Sequence, residues 1–420
     1  MGKLGIAGGA PIREAPFPTW PVWGPEEEQA ALRVVRSGHW WRVGGTEVAE
    51  FEQRFADYHG AKHAIANTSG TIALRLGLWA AGLKSADEVI VPPYTFLATA
   101  TAVIEQNATP VFVDIEAETY NLDPNLVEAA ITPRTRAIIP VHFAGRSASM
   151  DRILEIAARH GLVVIEDAAH AHGGALNGRG LGSIGQMGCF SFQESKNLTA
   201  GEGGMVITND DELAALCRSL HNFGRRPGGE WYEHNLMASN YRMTELQGAI
   251  LNCQLARLAE QTARRESNAA RLTQKLAEVP GIYPQARGLD ETCKAYHLYL
   301  FRFDEQVWGI PRHVFVEALS AEGVPVVEGY QIPLYRQPVF TLPDFGPYTA
   351  AFEQNPALDY TKVSCPVAER ACASEGCWLH QAVLLGTEAD MDDIADAFEK
   401  VWNGRESLAG TTSALGSGGH

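Results

Sequence analysis

Short apolar runs alternate with helix-like stretches along the first half of the chain. The runs fall at 89–91, 111–115, 137–141, 163–165, 189–192 and 205–208, and helix-like segments lie between them near 97–107, 124–131 and 150–160. Apolar runs with no polar face suit strands buried on both sides, and strand alternating with helix predicts a mostly parallel sheet covered by helices on both faces.

After Asn240 the pattern changes. Residues 244–276 read as one long helix with few breakers before Pro280-Gly281, placed to bridge two domains. A smaller unit follows, with an alternating strand at 296–303, a helix at 312–322 and an amphipathic helix at 391–402. The expected organisation is an N-terminal arm (1–24), a large α/β domain (25–250), a linking helix (251–280), a smaller C-terminal α+β domain (281–405) and a flexible tail (406–420). Residues 410–420 have linker composition and are left out of the fold reasoning. No internal repeat is evident.

Composition narrows the function classes. A chain of 420 residues with 45% hydrophobic content can fill two substantial cores. A formal charge of -16 argues against nucleic acid as a partner, because phosphate backbones need basic patches. Arg225-Arg226, beside Pro-Gly-Gly, reads as a mobile loop near the active site rather than as such a patch. Seven scattered cysteines without a Cys-x-x-Cys pair fit reduced thiols in the cytoplasm and no metal site. No charged leader precedes an apolar core, and no run approaches the roughly 18 apolar residues of a membrane span, so a soluble protein is expected.

Three segments carry the chemistry. Leu162-Val-Val-Ile-Glu-Asp167 places a carboxylate at the end of a buried strand, the side on which open α/β sheets bind ligands. Phe190-Ser-Phe-Gln-Glu-Ser-Lys196 places a lysine among apolar residues, where desolvation favours the neutral, nucleophilic amine. Thr68-Ser69-Gly70-Thr71 precedes the helical pattern that begins at Ile72 and offers free amides to a phosphate. A lysine able to form a Schiff base, a carboxylate able to keep a ring nitrogen protonated and an anion site together call for pyridoxal 5'-phosphate. Singly, each has an ordinary alternative: a solvated lysine, a capping aspartate, a common helix start.

The arrangement resembles the DegT/DnrJ/EryC1/StrS family of sugar and cyclitol aminotransferases, which are pyridoxal-phosphate enzymes of fold type I. The resemblance spans residues 10–403 and rests on Gly38-His-Trp-Trp-Arg-Val-Gly-Gly45, Asn67-Thr-Ser-Gly-Thr71, Val89-Ile-Val-Pro-Pro-Tyr-Thr-Phe96, Glu166-Asp-Ala-Ala-His170, Ser191 to Lys196, Gly201-Glu-Gly-Gly204 and Ser239-Asn-Tyr-Arg-Met-Thr-Glu245. Trp20-Pro-Val-Trp23, Cys365-Pro-Val-Ala-Glu-Arg370 and Trp378-Leu-His380 are similar to the branch that holds glutamine:scyllo-inosose aminotransferases and 3-amino-5-hydroxybenzoate synthases.

That resemblance implies roles by position. Lys196 matches the cofactor-bearing lysine, Asp167 the partner of the ring nitrogen, Phe96 the aromatic residue stacked on the ring and His170 a polar neighbour of it. Ser69, Gly70, Thr71 and Ser191 would hold the phosphate, and Asn240 would reach the phosphate of a neighbouring subunit in a homodimer with shared sites. Phe96 reads equally as core packing and Asn240 as a helix cap. Trp41, Arg42, His297, Tyr330 and Tyr335 are candidate substrate residues. Pro333-Leu-Tyr335 stands where the sugar-nucleotide members carry a histidine, which weakens a nucleotide-sugar substrate.

The expected activity is ping-pong transfer of an amino group, from L-glutamine by resemblance, to a keto-cyclitol or keto-sugar. The alternatives are a 3-amino-5-hydroxybenzoate synthase-type aminodehydratase and a non-catalytic cofactor-binding regulator. A nicotinamide dehydrogenase is a remote fourth, since Gly180-Leu-Gly-Ser-Ile-Gly185 spells a dinucleotide fingerprint but does not run from a strand into a helix.

Overall fold

The computed structural model describes residues 3–226, 228–342, 345–348, 353, 355 and 358–408. Pro227, in the expected Arg225-Arg226 loop, and the tail from 409 onward lie outside the described residues.

The large sheet has seven strands: β1 (His63–Asn67), β2 (Glu88–Val91), β3 (Thr109–Phe112), β4 (Thr135–Ile138), β5 (Val163–Asp167), β6 (Met187–Ser191) and β7 (Gly204–Thr208), in the order β1-β7-β6-β5-β4-β2-β3. β2, β6 and β7 are buried throughout. That is why they read as unbroken apolar runs rather than alternating ones. β7 runs antiparallel to both β1 and β6, so the sheet is mostly rather than wholly parallel. β1, with only three apolar residues in His-Ala-Ile-Ala-Asn, gives no sequence run long enough to mark it.

Two cores fill the faces of this sheet. One joins helix Gly70–Ala80 and β2 to Tyr335, Phe340 and Trp378, and the other joins helix Glu47–His59 and helix Met150–His160 to Phe190 and Phe192. Burial of aromatic and branched side chains on both sides holds the sheet rigid.

The long helix runs from Glu245 to Leu276, opened by a capping box in which Thr244 and Gln247 satisfy each other's backbone amides. Leu251, Leu255 and Leu258 pack in the large domain, while Ala269, Leu272 and Leu276 belong to the core of the C-terminal unit. At 1.5 Å per residue its 32 residues span about 48 Å, enough to serve both units. A second sheet, of β8 (Ile282–Pro284), β9 (Leu298–Phe303), β10 (Val327–Glu328) and β11 (Gly376–His380) in the order β8-β9-β11-β10, forms the C-terminal layer.

The N-terminal arm is tied down at several points. Leu4 sits in the C-terminal core, Arg13 pairs with Asp390 and Asp393, and Trp20 donates its indole N–H to the Glu194 carbonyl at 2.7 Å. Before the tail leaves the described residues, Arg405–Ser407 close a 3-10 turn and Leu408 is buried. Among the described residues no helix is long and apolar enough to cross a membrane.

Candidate active site

A cavity of about 490 Å³ opens at the carboxyl ends of β5 and β6, between the large sheet and the C-terminal layer. Ligands collect there in sheets of this kind because helix starts and strand-end side chains point to that edge. Asp167, the last residue of β5, and Lys196, five residues beyond the end of β6, both line it.

The two groups are poised against each other. Burial pushes the Lys196 amine from 10.5 down to about 8, while the negative charge of Asp167 pulls the other way. Burial pushes the Asp167 carboxyl up, against the Thr99 hydroxyl, which donates to Oδ2 at 2.8 Å, and the Ala169 amide, which donates to Oδ1 at 3.2 Å. Lys196 is thus a usable nucleophile and base near neutrality, and Asp167 is a fixed, desolvated carboxylate suited to a cationic partner.

Ser69 caps helix Gly70–Ala80 by accepting from the Ile72 amide at 3.3 Å. Gly70 and Thr71 open that helix and line the cavity beside Ser191. Two glycines are dictated by close approach. A Cβ on Gly70 would sit 2.6 Å from Cβ of Ser191, and one on Gly204 would sit 2.2 Å from the Ser69 carbonyl oxygen. The helix start is pressed against the strand ends, which concentrates amides and hydroxyls on one small volume.

Phe96 lines the same cavity and is 63% exposed, so it is not a core residue. His170 is buried, and its ring lies 4.1 Å from that of His297, tilted by 33°. Burial holds both imidazoles well below their ordinary pKa, hence neutral. Tyr330 completes the wall beside Trp378, the ring centres 5.5 Å apart.

Four expected site residues are not brought to the cavity. Arg42 forks onto the Glu52 carboxylate at 2.6 and 2.8 Å, and Glu52 also accepts from Arg218 and the Ala66 amide, so the guanidinium is spent on a structural network. Tyr335 is fully buried and its phenol bonds Glu369 and the Cys365 amide. Within one chain, neither side chain lines the cavity. Trp41 is 46% exposed beneath the Arg242 guanidinium. Asn240 is also exposed, accepting from the Arg242 amide at 3.2 Å. Within one chain, neither lines the cavity.

Thr95, Thr99, Gln193, Trp378 and His380 line the cavity without having been singled out for it. Thr99 lies four residues after Thr95 on the segment that follows β2. Only the sheet order reveals that this segment meets the end of β5.

The dinucleotide-like Gly180 to Gly185 segment has another use. Its amides at Gly182, Ile184 and Gly185 donate to the buried Glu166 carboxylate at 2.8, 2.7 and 2.6 Å, and His142 Nε2 adds a fourth bond at 2.8 Å. The anion nest is filled by the protein's own side chain and leaves no room for a pyrophosphate.

A mostly parallel sheet that brings a desolvated lysine, a strand-end carboxylate and a helix start to one cavity defines a fold type I architecture, the class of pyridoxal-phosphate aminotransferases. The DegT/DnrJ/EryC1/StrS aminotransferase family model matches residues 24–399, and the chain belongs to that family. It is 40% identical over 423 residues to the L-glutamine:2-deoxy-scyllo-inosose aminotransferase of Streptomyces kanamyceticus, covering 97% of this chain and 98% of that one. It is 37% identical over 391 residues to the 3-amino-5-hydroxybenzoate synthase of Amycolatopsis mediterranei, covering 91% and 97%. The crystal structure of a 3-amino-5-hydroxybenzoic acid synthase superposes with a TM-score of 0.82 at 36% identity, over 94% of this chain and all of that one.

Proposed function

We propose that the protein binds pyridoxal 5'-phosphate and transfers an amino group from L-glutamine to a keto-cyclitol or related polyhydroxy ketone, releasing one product before the second substrate binds. The observation that carries this is the convergence of Lys196, with its amine near pKa 8, and the buried Asp167 on one cavity. The donor and acceptor classes come from likeness to the Streptomyces kanamyceticus enzyme.

The residues present fit the cofactor. Nδ1 of His170 is buried without a partner among the described residues, so a polar ring substituent would satisfy it. Gly70 and Ser191 approach too closely for any larger residue, leaving the helix start free for phosphate. Phe96 offers an exposed aromatic face. When bound, the cofactor supplies an electron sink for the substrate carbon that loses a proton.

The chain does the rest. Lys196 would hold the cofactor and would move a proton to and from the substrate carbon, a task matched to an amine near pKa 8. Asp167, fixed by Thr99, would favour positive charge on the ring nitrogen. Ser69, Gly70, Thr71 and Ser191 would hold the phosphate, and Tyr330 and Trp378 would wall the substrate in.

A second copy of the chain completes the site in this proposal. Support comes from the exposed Trp231, Tyr232 and Met237, at 70, 77 and 89%, on the segment leading to Asn240. Seven free thiols favour the reducing cytoplasm.

The test separates the half-reactions. L-glutamine alone should convert the visible absorbance of the holoenzyme to that of the aminated cofactor, and 2-deoxy-scyllo-inosose should restore it. No change with any amino donor would overturn the proposal and leave a cofactor-binding regulator. An aromatic amino acid as product would instead establish the aminodehydratase, the second reading supported by the Amycolatopsis mediterranei relative.

A further inference from the structure

We infer that His297 presents a fixed hydrogen-bond acceptor to the acceptor ketone, oriented by Asn197, and that it thereby selects ketones bearing a hydroxyl beside the carbonyl. The inference deepens the proposed aminotransferase reaction and rests on it.

The polarity of the site follows from a short relay. Asn197 follows Lys196 directly, is buried, and donates its amide N–H to the Ala295 carbonyl at 2.7 Å. A backbone carbonyl can only accept, so this bond fixes which end of the Asn197 amide faces the other way. That end is Oδ1, which lies 3.1 Å from Nδ1 of His297. Nδ1 must therefore carry the proton, because an amide oxygen cannot donate.

In the neutral imidazole the other nitrogen then holds only a lone pair. His297 lines the cavity, and the one hydrogen bond of its ring among the described residues is that of Nδ1 to Asn197, which leaves Nε2 to face a ligand. The ring also packs against that of His170, the centroids 4.1 Å apart, which together with the Asn197 bond restricts its rotation. Among the cavity-lining residues this nitrogen is a directed acceptor that neither cofactor attachment, through Lys196, nor ring polarisation, through Asp167, uses. A polyhydroxy ketone brings hydroxyl donors; a plain ketone brings none. Discrimination of this kind is strong when the bound ligand displaces cavity water and leaves the unmatched site group unpaired.

The experiment compares acceptor half-reactions of the aminated holoenzyme with 2-deoxy-scyllo-inosose and with unsubstituted cyclohexanone. His297→Leu removes the acceptor, while His297→Gln can place a carbonyl oxygen near the Nε2 position. The Leu variant should lose about tenfold in kcat/KM for the hydroxylated ketone, mostly through KM, and change little for cyclohexanone. The Gln variant should recover part of the loss, and Asn197→Ala should show a smaller loss of the same pattern. The donor half-reaction with L-glutamine should persist in all three. Equal losses for both ketones, or a donor half-reaction lost together with the acceptor one in each variant, would overturn the inference. Failure of the wild-type holoenzyme with L-glutamine would instead count against the aminotransferase proposal.

Discussion

The hydroxyl of Thr99 donates to Oδ2 of Asp167 at 2.8 Å, joining the segment after β2 to the end of β5 beneath the cavity. With the Ala169 amide donating to Oδ1, the bond holds both carboxylate oxygens, so the charge has a fixed direction. Asp167→Asn keeps the shape and removes the charge. Turnover should fall on the order of a hundredfold or more, and Thr99→Val should fall less. Single-turnover absorbance with L-glutamine measures both; an unchanged rate in Asp167→Asn would reduce the residue to a structural role.

Lys196 is a stability cost in the cofactor-free chain. Its amine titrates near 8 when folded and near 10.5 when exposed, so the unfolded chain binds more protons between those values. Stability should rise with pH across that window, and the burial penalty is at full size below about pH 8. Lys196→Met should abolish turnover yet stabilise the cofactor-free protein at pH 7 by roughly 1–3 kcal/mol. Urea unfolding at pH 7 and 10 checks this; equal stability of both proteins at pH 7 would contradict it.

Gly204 admits no side chain, since its Cβ would meet the Ser69 carbonyl oxygen at 2.2 Å. Gly204→Ala should push the helix start away from β7, cost about 1–3 kcal/mol and weaken retention of the cofactor phosphate. Thermal melts and the rate of cofactor loss on gel filtration report the two effects separately.

Glu166 gathers three amides and His142 Nε2 in a dry environment. Glu166→Ala should leave those donors unsatisfied and cost about 3–5 kcal/mol, lowering Tm sharply. Nicotinamide dinucleotides should not stabilise the wild-type protein at all. A dinucleotide-dependent rise in Tm would reopen the dehydrogenase alternative.

The alternation of apolar runs and helical periods determined the α/β class, because strands buried on both faces read as largely apolar runs, and the long helix and the second, smaller layer followed from their own helical and alternating periods. That Asp167, Lys196 and the Ser69-Gly70-Thr71 helix start could meet at one cavity was legible from local signals: an acid closing an apolar run, a lysine among apolar residues and a helix start. What the sequence did not reveal depends on contacts between distant segments. The direction of β7, the existence of β1 and the meeting of Thr99 with Asp167 follow from sheet order, which no local pattern encodes. Arg42 and Tyr335 looked like pocket residues until folding gave them Glu52 and Glu369 as partners. Glycine spacing likewise suggested a nucleotide loop, and only the fold showed its amides turned inward onto Glu166. Residue type and period set what each segment can do; long-range packing chooses the partner that decides what it does.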